Sequence, residues 1–339
     1  MKINMQEWAN DIIAAKDVKV LPVQFFPTIP LMDDMDVEKS VKSADAMAKV
    51  MVKTVEEYPD IIACMTGMDL TIDTEAFGGI VKYSQKQAPN IHDAVISTPE
   101  EIKALQIPDI HSARVDVQTQ ATVEAEKSIK DRPVFGGMLG PFSLAANLLE
   151  VSKALMMTVT DAESMHILIQ KATDYLILRA KEYKAAGANG IFIAEPTAGL
   201  LSPAALDEFS SVYVKQIVDA VQDDYFFLVL HDCGKVTKSV VSMYNTGCKG
   251  FHFGNSVKMV DVLSQVKPDV LMFGNIDPSS AFFMATPEEI YDMTYKLLEE
   301  TKDYPNFVLS SGCDLAPAVE KENIDAFYKA CKDFNEKNA

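Results

Sequence analysis

Short apolar segments alternate with longer amphipathic segments along most of this chain, and from residue 132 onward the alternation is regular. Apolar segments bounded by turn residues indicate buried strands, and apolar positions at helical spacing indicate helices. The regular region predicts strands at about 133–138, 190–196, 226–230, 250–253, 270–274 and 307–310. It predicts helices that begin near 140 and that cover about 161–186, 202–221, 237–244, 257–266, 287–301 and 321–334. Strict alternation of strands and helices favours a parallel sheet with right-handed crossovers.

The first third of the chain is less regular but predicts two more strands. The predicted elements there are a helix at 4–15 within an N-terminal extension of residues 1–17, strands at 18–26 and 60–65, a proline-rich loop at 27–30 and a helix at 37–57. Glycine and proline interrupt residues 69–116, which we predict to be an irregular, lid-like insertion after the second strand.

Both regions together give eight predicted strands. Eight strands alternating with helices favour a (β/α)8 TIM barrel, of the α/β class, over an open doubly wound sheet. No Gly-x-Gly-x-x-Gly follows the first strand and no Walker loop is present, which argues against a dinucleotide-binding or NTP-binding fold. We therefore expect residues 1–339 to form a single barrel domain.

Composition and charge narrow the classes of function. The formal net charge of −18 argues against nucleic-acid or anionic-membrane binding, since either needs a positive field. The N-terminus lacks the apolar core of a signal peptide, and no segment approaches the ~18 apolar residues of a membrane span, so a cytoplasmic protein is expected. Five cysteines without dense spacing indicate thiols or metal ligands rather than a disulfide framework.

His231 and Cys233 follow the predicted strand at 226–230 and form the strongest chemical signal of the sequence. Side chains at i and i+2 of an extended segment project to the same side, so these two can bind one ion. Imidazole and thiolate are the ligands that zinc prefers. The best third ligand is Cys313, which follows the strand at 307–310 and would reach the same end of a parallel barrel.

Other polar residues also lie where predicted strands end, and we consider five of them as candidate substrate-binding residues. They are Glu195, His252, Asn255, Asn275 and Asp277. Each has a structural alternative, because carboxylates and amides at such positions cap helices or shape turns, and a satisfied histidine of the barrel wall is the favoured interpretation of His252. The other cysteines, Cys64, Cys248 and Cys331, are assigned no role.

Four motifs resemble the uroporphyrinogen decarboxylase superfamily, and within it the zinc-dependent corrinoid methyltransferases of the methylcobamide:coenzyme M type. The likeness runs from about residue 133 to residue 334. The motifs are Gly136-Gly137-Met138-Leu139-Gly140-Pro141-Phe142-Ser143-Leu144-Ala145, His231-Asp232-Cys233-Gly234, Gly274-Asn275-Ile276-Asp277-Pro278 and Gly312-Cys313-Asp314-Leu315-Ala316-Pro317.

This resemblance implies a barrel in which His231, Cys233 and Cys313 bind zinc. It also implies methyl transfer between a methylated corrinoid, a cobalamin presented by a partner protein, and a small acceptor. A thiol such as coenzyme M and tetrahydrofolate both fit as acceptor, and the direction of transfer stays open. Members of this branch often carry an acidic residue on the following strand, whereas this chain has His252-Phe253-Gly254-Asn255, so the fourth ligand is also open: water, Asn255 or Glu195.

Two other functions compete with methyl transfer. Decarboxylation of a porphyrinogen with many carboxylates requires several cationic partners, yet the chain has only Arg114, Arg132 and Arg179, none near the end of the first strand. The second alternative is a zinc-containing barrel that binds a corrinoid protein or a methylated metabolite without turnover.

Overall fold

Eight parallel strands form one curled sheet at the centre of the molecule, in a computed structural model that describes residues 3–338. The strands are β1 (Lys19–Val20), β2 (Cys64–Met65), β3 (Val134–Leu139), β4 (Gly190–Ala194), β5 (Phe227–Asp232), β6 (Gly250–Phe253), β7 (Leu271–Ile276) and β8 (Phe307–Ser311). Their order in the sheet is β1-β8-β7-β6-β5-β4-β3-β2. The two outer strands, β1 and β2, approach each other: the N–H of Ile62, just before β2, donates to the Val20 carbonyl of β1 at 3.1 Å. The predicted (β/α)8 barrel is confirmed.

Helices connect the strands and surround the sheet. They are α1 (Met5–Ala14), α2 (Phe25–Thr28), α3 (Val37–Lys42), α4 (Ala44–Glu57), α5 (Ile72–Ala76), α6 (Pro99–Ala104), α7 (Val115–Ser128), α8 (Pro141–Leu149), α9 (Val151–Thr160), α10 (Ala162–Ala185), α11 (Pro203–Leu206), α12 (Val212–Val221), α13 (Val240–Tyr244), α14 (Met259–Leu263), α15 (Pro287–Thr301) and α16 (Lys321–Asn338). Short 3-10 turns occur at Ile29–Leu31 and Ala198–Leu200, and a π-helical turn, Asp207–Ser211, joins α11 to α12. No single helix among residues 3–338 is long and apolar enough to cross a membrane. Helices α8 and α9 reach the required length and apolar composition only when they are taken together, and they meet at a 107° bend.

The region after β1 differs from its prediction. Only Lys19–Val20 pairs as a strand where 18–26 was expected, and the expected loop at 27–30 is helical in α2 and the 3-10 turn that follows. Pro27 is compatible with helix here because the first turn of a helix leaves its N–H groups without intrahelical partners. The Thr28 hydroxyl donates to the Gln24 carbonyl at 3.1 Å, which adds a hydrogen bond across this turn.

Two further predictions in the N-terminal third need correction. The helix expected at 37–57 is divided into α3 and α4, because Ser43 has an extended backbone and its hydroxyl accepts the Ala46 N–H as an N-cap. Helix α7 was not predicted at all. Most residues of its buried face are small or polar, so the apolar periodicity that identifies a helix is weak. Residues 1 and 2 of the predicted N-terminal extension lie outside the described residues.

The N-terminal end of the barrel is filled by apolar side chains and covered by α1. The Trp8 ring packs on Phe135 and Phe227, with centroid separations of 6.0 and 5.6 Å. The Met5 N–H donates to the Asp224 carbonyl at 2.7 Å, which fixes the start of α1 below the sheet. The N-terminal end of the barrel interior is thus apolar and closed, which leaves the C-terminal end for polar side chains. Functional sites of this fold occur at that end.

Candidate metal centre

Three side chains from two strand ends converge at the C-terminal end of the barrel. His231 lies in β5, Cys233 follows that strand, and Cys313 follows β8. Their ligand atoms all lie within 4.8 Å of one another, and His231 Nε2 is 3.6 Å from Cys313 Sγ. They are the one group of three or more histidine, cysteine or acidic residues with this geometry among residues 3–338. His231 is buried, whereas both cysteines are partly exposed, so the sulfur side of the group faces the barrel mouth.

Two glycines allow the loops of this centre to approach one another. A Cβ atom at Gly254 would lie 2.6 Å from the Cys233 Cα, and one at Gly312 would lie 2.8 Å from the Asn255 nitrogen. Since these neighbours are backbone atoms, a larger residue would displace the loops themselves. The loops after β5, β6 and β8 are thus held together by backbone contact, which fixes the positions of Cys233 and Cys313.

The two cysteines shift each other's pKa. The interaction with Cys233 lowers the pKa of Cys313, and the same interaction raises the pKa of Cys233 to about 12. A divalent cation favours the deprotonated form of every coordinated thiol, so a bound metal would displace the protons of both.

A second histidine contacts the back of His231 inside the barrel. His252 Nδ1 is 2.6 Å from His231 Nδ1, and His252 Nε2 is 2.9 Å from the Ser310 hydroxyl. The Ser310 hydroxyl in turn donates to the Leu21 carbonyl at 2.6 Å. Burial and the adjacent His231 hold the pKa of His252 well below its usual value. The structure thus places His252 behind His231, inside the barrel, rather than at the barrel mouth. Ser310 was not among the candidate residues, because the other residues of the predicted strand at 307–310 are apolar and indicated only a buried strand. A hydroxyl on such a strand was the signal that could have identified it.

Glu195 is buried and caps α8. One carboxylate oxygen accepts the Phe142 N–H at 2.9 Å and the Ser210 hydroxyl at 3.1 Å, and the other accepts the Ser143 N–H at 2.8 Å. Burial raises the pKa of Glu195, and the hydrogen bonds from Ser143 and Phe142 oppose that rise. A carboxylate at a helix N-terminus is stabilised by the free N–H groups and by the helix dipole. These contacts hold the carboxylate against α8.

The remaining candidate substrate-binding residues link the loops after β6 and β7. The Asn275 amide donates to the carbonyls of Gly254 and Val257 at 2.9 and 2.8 Å and is buried. The exposed Asn255 amide donates to Asp277 Oδ2 at 2.7 Å. Asn275 therefore fixes the loop that touches Cys233, while Asn255 and Asp277 form a polar pair at the rim.

All three arginines are already paired with other groups of the protein. Arg114 Nη1 is 2.6 Å from Asp69 Oδ2, and Arg179 Nε is 3.1 Å from Asp73 Oδ1. Arg179 is completely buried and Arg114 is nearly so. Arg132 precedes β3 at the opposite end of the barrel and donates to two backbone carbonyls before β2. None of the three guanidinium groups is available to a ligand at the metal centre.

A family model described as uroporphyrinogen decarboxylase (URO-D) matches residues 16–334. The chain belongs to the uroporphyrinogen decarboxylase family. The resemblance seen in the four sequence motifs is confirmed at this level, and the family match extends through the less regular N-terminal third.

Relatives in the uroporphyrinogen decarboxylase family carry two kinds of activity in their names. The methylcobamide:CoM methyltransferase MtbA of Methanosarcina acetivorans is 27% identical over 326 residues, covering 92% of this chain and 94% of that protein. A uroporphyrinogen decarboxylase of Alcanivorax borkumensis is 27% identical over 316 residues, covering 87% of this chain and 85% of that protein. Among solved structures, a methyltransferase from Methanosarcina mazei matches with a TM-score of 0.86 at 21% identity, covering 98% of each chain, which supports the same fold. Family membership alone therefore does not distinguish methyl transfer from decarboxylation, and the residues of the site must do so.

Proposed function

We propose that this protein is a zinc-dependent methyltransferase that moves a methyl group between a methylated corrinoid and a small acceptor. The observation that carries the proposal is the convergence of His231, Cys233 and Cys313 at the barrel mouth. One imidazole nitrogen and two sulfurs form a donor set that suits zinc, and three protein ligands are typical of catalytic sites that keep one position open. The methylcobamide:CoM methyltransferase relatives support the corrinoid as methyl donor.

The donor set also suits a thiol acceptor such as coenzyme M. Bound zinc would supply positive charge that favours the thiolate form of an acceptor, and thiolate is the form that attacks carbon. Two cysteine thiolates offset the charge of the dication, so an acceptor sulfur keeps its nucleophilic character. In the transfer, the acceptor sulfur forms the new S–C bond, the Co–C electron pair stays with the corrinoid, and the thiol proton passes to solvent. Tetrahydrofolate is the competing acceptor.

Decarboxylation is disfavoured by the positions of the arginines. A substrate with many carboxylates needs cationic groups that converge on it. Arg114 and Arg179 are paired with buried aspartates, and Arg132 lies at the closed end of the barrel. The decarboxylase relatives thus share the fold with this chain, while its site lacks the arginine charge that such a substrate requires.

Free methylcobalamin provides the direct test of this function. The zinc-loaded protein is expected to demethylate methylcobalamin when a thiol such as coenzyme M is present, since the acceptor takes the methyl group. The loss of the methyl–cobalt absorption is followed in the visible spectrum, against a panel of thiols and tetrahydrofolate. Omission of the acceptor and removal of zinc with a chelator are the controls. Binding of methylcobalamin without spectral change would favour the non-catalytic alternative, and release of CO2 from uroporphyrinogen would favour the decarboxylase.

A corrinoid protein would dock over the open end of the barrel, where its cobalt can reach the metal centre. Three large apolar side chains are exposed on loops that follow β4 and β7: Leu200, Phe283 and Met284, at 63%, 53% and 76% exposure. Exposed apolar side chains at this end of the barrel are the groups that a docked partner would cover. The opposite end is covered by α1, so it offers no route to the site.

The variant Phe283→Asp is expected to lower kcat/KM with a methylated corrinoid protein by about tenfold, because a charge replaces an apolar contact group. Activity with free methylcobalamin should stay unchanged, since Phe283 lies outside the metal centre. Leu178→Asp, which places the same charge on the outer surface of α10 at a residue that is 45% exposed, is the matched control. Equal losses with both donors, or a loss in the Leu178 variant, would contradict docking at this rim.

A further inference from the structure

A chain of hydrogen bonds crosses the barrel interior from the metal centre to the backbone of β1. It runs from His231 Nδ1 to His252 Nδ1 at 2.6 Å, from His252 Nε2 to the Ser310 hydroxyl at 2.9 Å, and from that hydroxyl to the carbonyl of Leu21, the residue after β1, at 2.6 Å. His252 and Ser310 are both fully buried, and His231 is 6% exposed. The chain links β5, β6, β8 and β1, so its geometry is set by the barrel itself.

The direction of every hydrogen bond in this chain follows from the carbonyl at its end. A carbonyl only accepts, so the Ser310 hydroxyl donates its one hydrogen to Leu21. Ser310 can then only accept from His252, which requires a hydrogen on His252 Nε2. In the neutral imidazole the other nitrogen, Nδ1, is bare and accepts the hydrogen of His231 Nδ1. Neutral His231 is left with a bare Nε2.

We propose that His252 and Ser310 are positioning residues that hold His231 in the tautomer and orientation in which Nε2 is free to bind the metal. His231 Nε2 is the atom that lies 3.6 Å from Cys313 Sγ, so the bare nitrogen points into the group of three ligands. The inference rests on the metal site in the proposed function. A partner on the distal nitrogen of a ligating histidine fixes the tautomer and raises the affinity for metal.

Aromatic packing prevents the second histidine from turning away. The rings of Phe192 and Phe273 lie 6.0 and 6.4 Å from the His252 ring, and the Phe273 ring is close to parallel with it. A flipped His252 would leave buried ring nitrogens without partners, at a cost of about 1–3 kcal/mol for each unsatisfied group. The barrel interior therefore holds one arrangement of the chain.

Zinc affinity of His252 variants tests the role directly. His252→Leu removes the acceptor for His231 Nδ1 and is expected to weaken zinc binding by about 10- to 100-fold, measured by competition with a chelator. His252→Gln keeps one acceptor oxygen and one donor nitrogen in the same order, so it should stay within about threefold of wild type. Phe251→Leu trims an equally buried ring of the same strand that packs on Tyr244 rather than on His252, and its zinc affinity should not change. Loss of affinity in the Gln variant equal to that in the Leu variant would overturn the proposal in favour of a packing role.

Ser310→Ala tests the far end of the chain, where it removes the acceptor for His252 Nε2. Zinc affinity is expected to fall about tenfold, because His252 is then free to present a hydrogen to His231. Wild-type affinity in a folded Ser310→Ala protein would overturn the proposal. If the wild type itself bound no zinc, the proposed function would fail instead, and the two failures are therefore distinguishable.

The tautomers are measurable in the metal-free wild type, without any variant. Nitrogen-15 NMR of histidine-labelled protein is expected to show hydrogen on Nδ1 of His231 and on Nε2 of His252. The reverse pattern, with hydrogen on His231 Nε2, would overturn the proposal regardless of whether the variants fold.

Discussion

Replacing Cys313 with serine is expected to weaken zinc binding by at least about 100-fold and to abolish methyl transfer. Loss of a metal ligand costs more affinity than loss of a residue that hydrogen-bonds to a ligand, such as His252. Cys313 supplies one of two thiolates, and a serine hydroxyl is a far poorer zinc ligand because it stays protonated near neutral pH. Its side chain also lies on the partly exposed side of the centre. Purified wild type should carry about one zinc per chain, measured by elemental analysis and by chelator competition.

Cys331→Ser is the matched control, because Cys331 is a buried cysteine of α16 that lies outside the group of three ligands. It should retain its zinc and its activity with methylcobalamin. Wild-type zinc affinity in the Cys313 variant would mean that Cys313 is not a ligand. Loss of zinc in both variants would point to a general loss of structure.

The regular part of the fold could be predicted because its signals are local. Helix α15 occupies Pro287–Thr301, as the sequence predicted. Thr286 and Glu289 form a capping box at its start, and Pro287 occupies the first turn, so the sequence itself marks the boundary. In the N-terminal third the sequence signals are weak. Strands β1 and β2 are only two residues long, and α7 buries polar residues such as Gln118, which hides its apolar periodicity.

The site was accessible to sequence reasoning only in part. The spacing of His231 and Cys233 predicts that they project together, and the parallel barrel predicts that Cys313 joins them; the structure places the three within 4.8 Å. The pairing of His231 with His252 depends on the register of β5 against β6, in which these two residues are direct partners. No pattern within either strand specifies that register. Capping was the structural alternative offered for Glu195, but the helix it caps, α8, follows the neighbouring strand and is set by a contact that neither segment specifies alone.

Replacing the buried Arg179 with methionine is expected to destabilise the protein by about 3–5 kcal/mol, because the carboxylate of Asp73 would remain buried without its counter-ion. Arg179 is completely buried in α10, and Asp73, in α5, is 1% exposed. Asp73 Oδ2 also accepts the Leu139 N–H at 3.1 Å, at the end of β3. The pair therefore ties the start of the 69–116 insertion to the barrel wall. A lower urea midpoint and faster proteolysis within the insertion are the measurements.

The control for this prediction is Lys215→Met, which removes an ion pair of the same kind on the surface. Lys215 and Asp219 lie 2.9 Å apart, with side chains 53% and 61% exposed. Solvent screens such a pair, so its loss should cost less than about 1 kcal/mol. The double variant Asp73→Leu, Arg179→Leu should recover part of the loss, because no unpaired charge is then buried. If the Arg179 and Lys215 variants lost equal stability, the buried pair would not be what anchors the insertion. A double variant no more stable than Arg179→Met would place the loss in the hydrogen bonds that Arg179 makes to Gln118 and Tyr183.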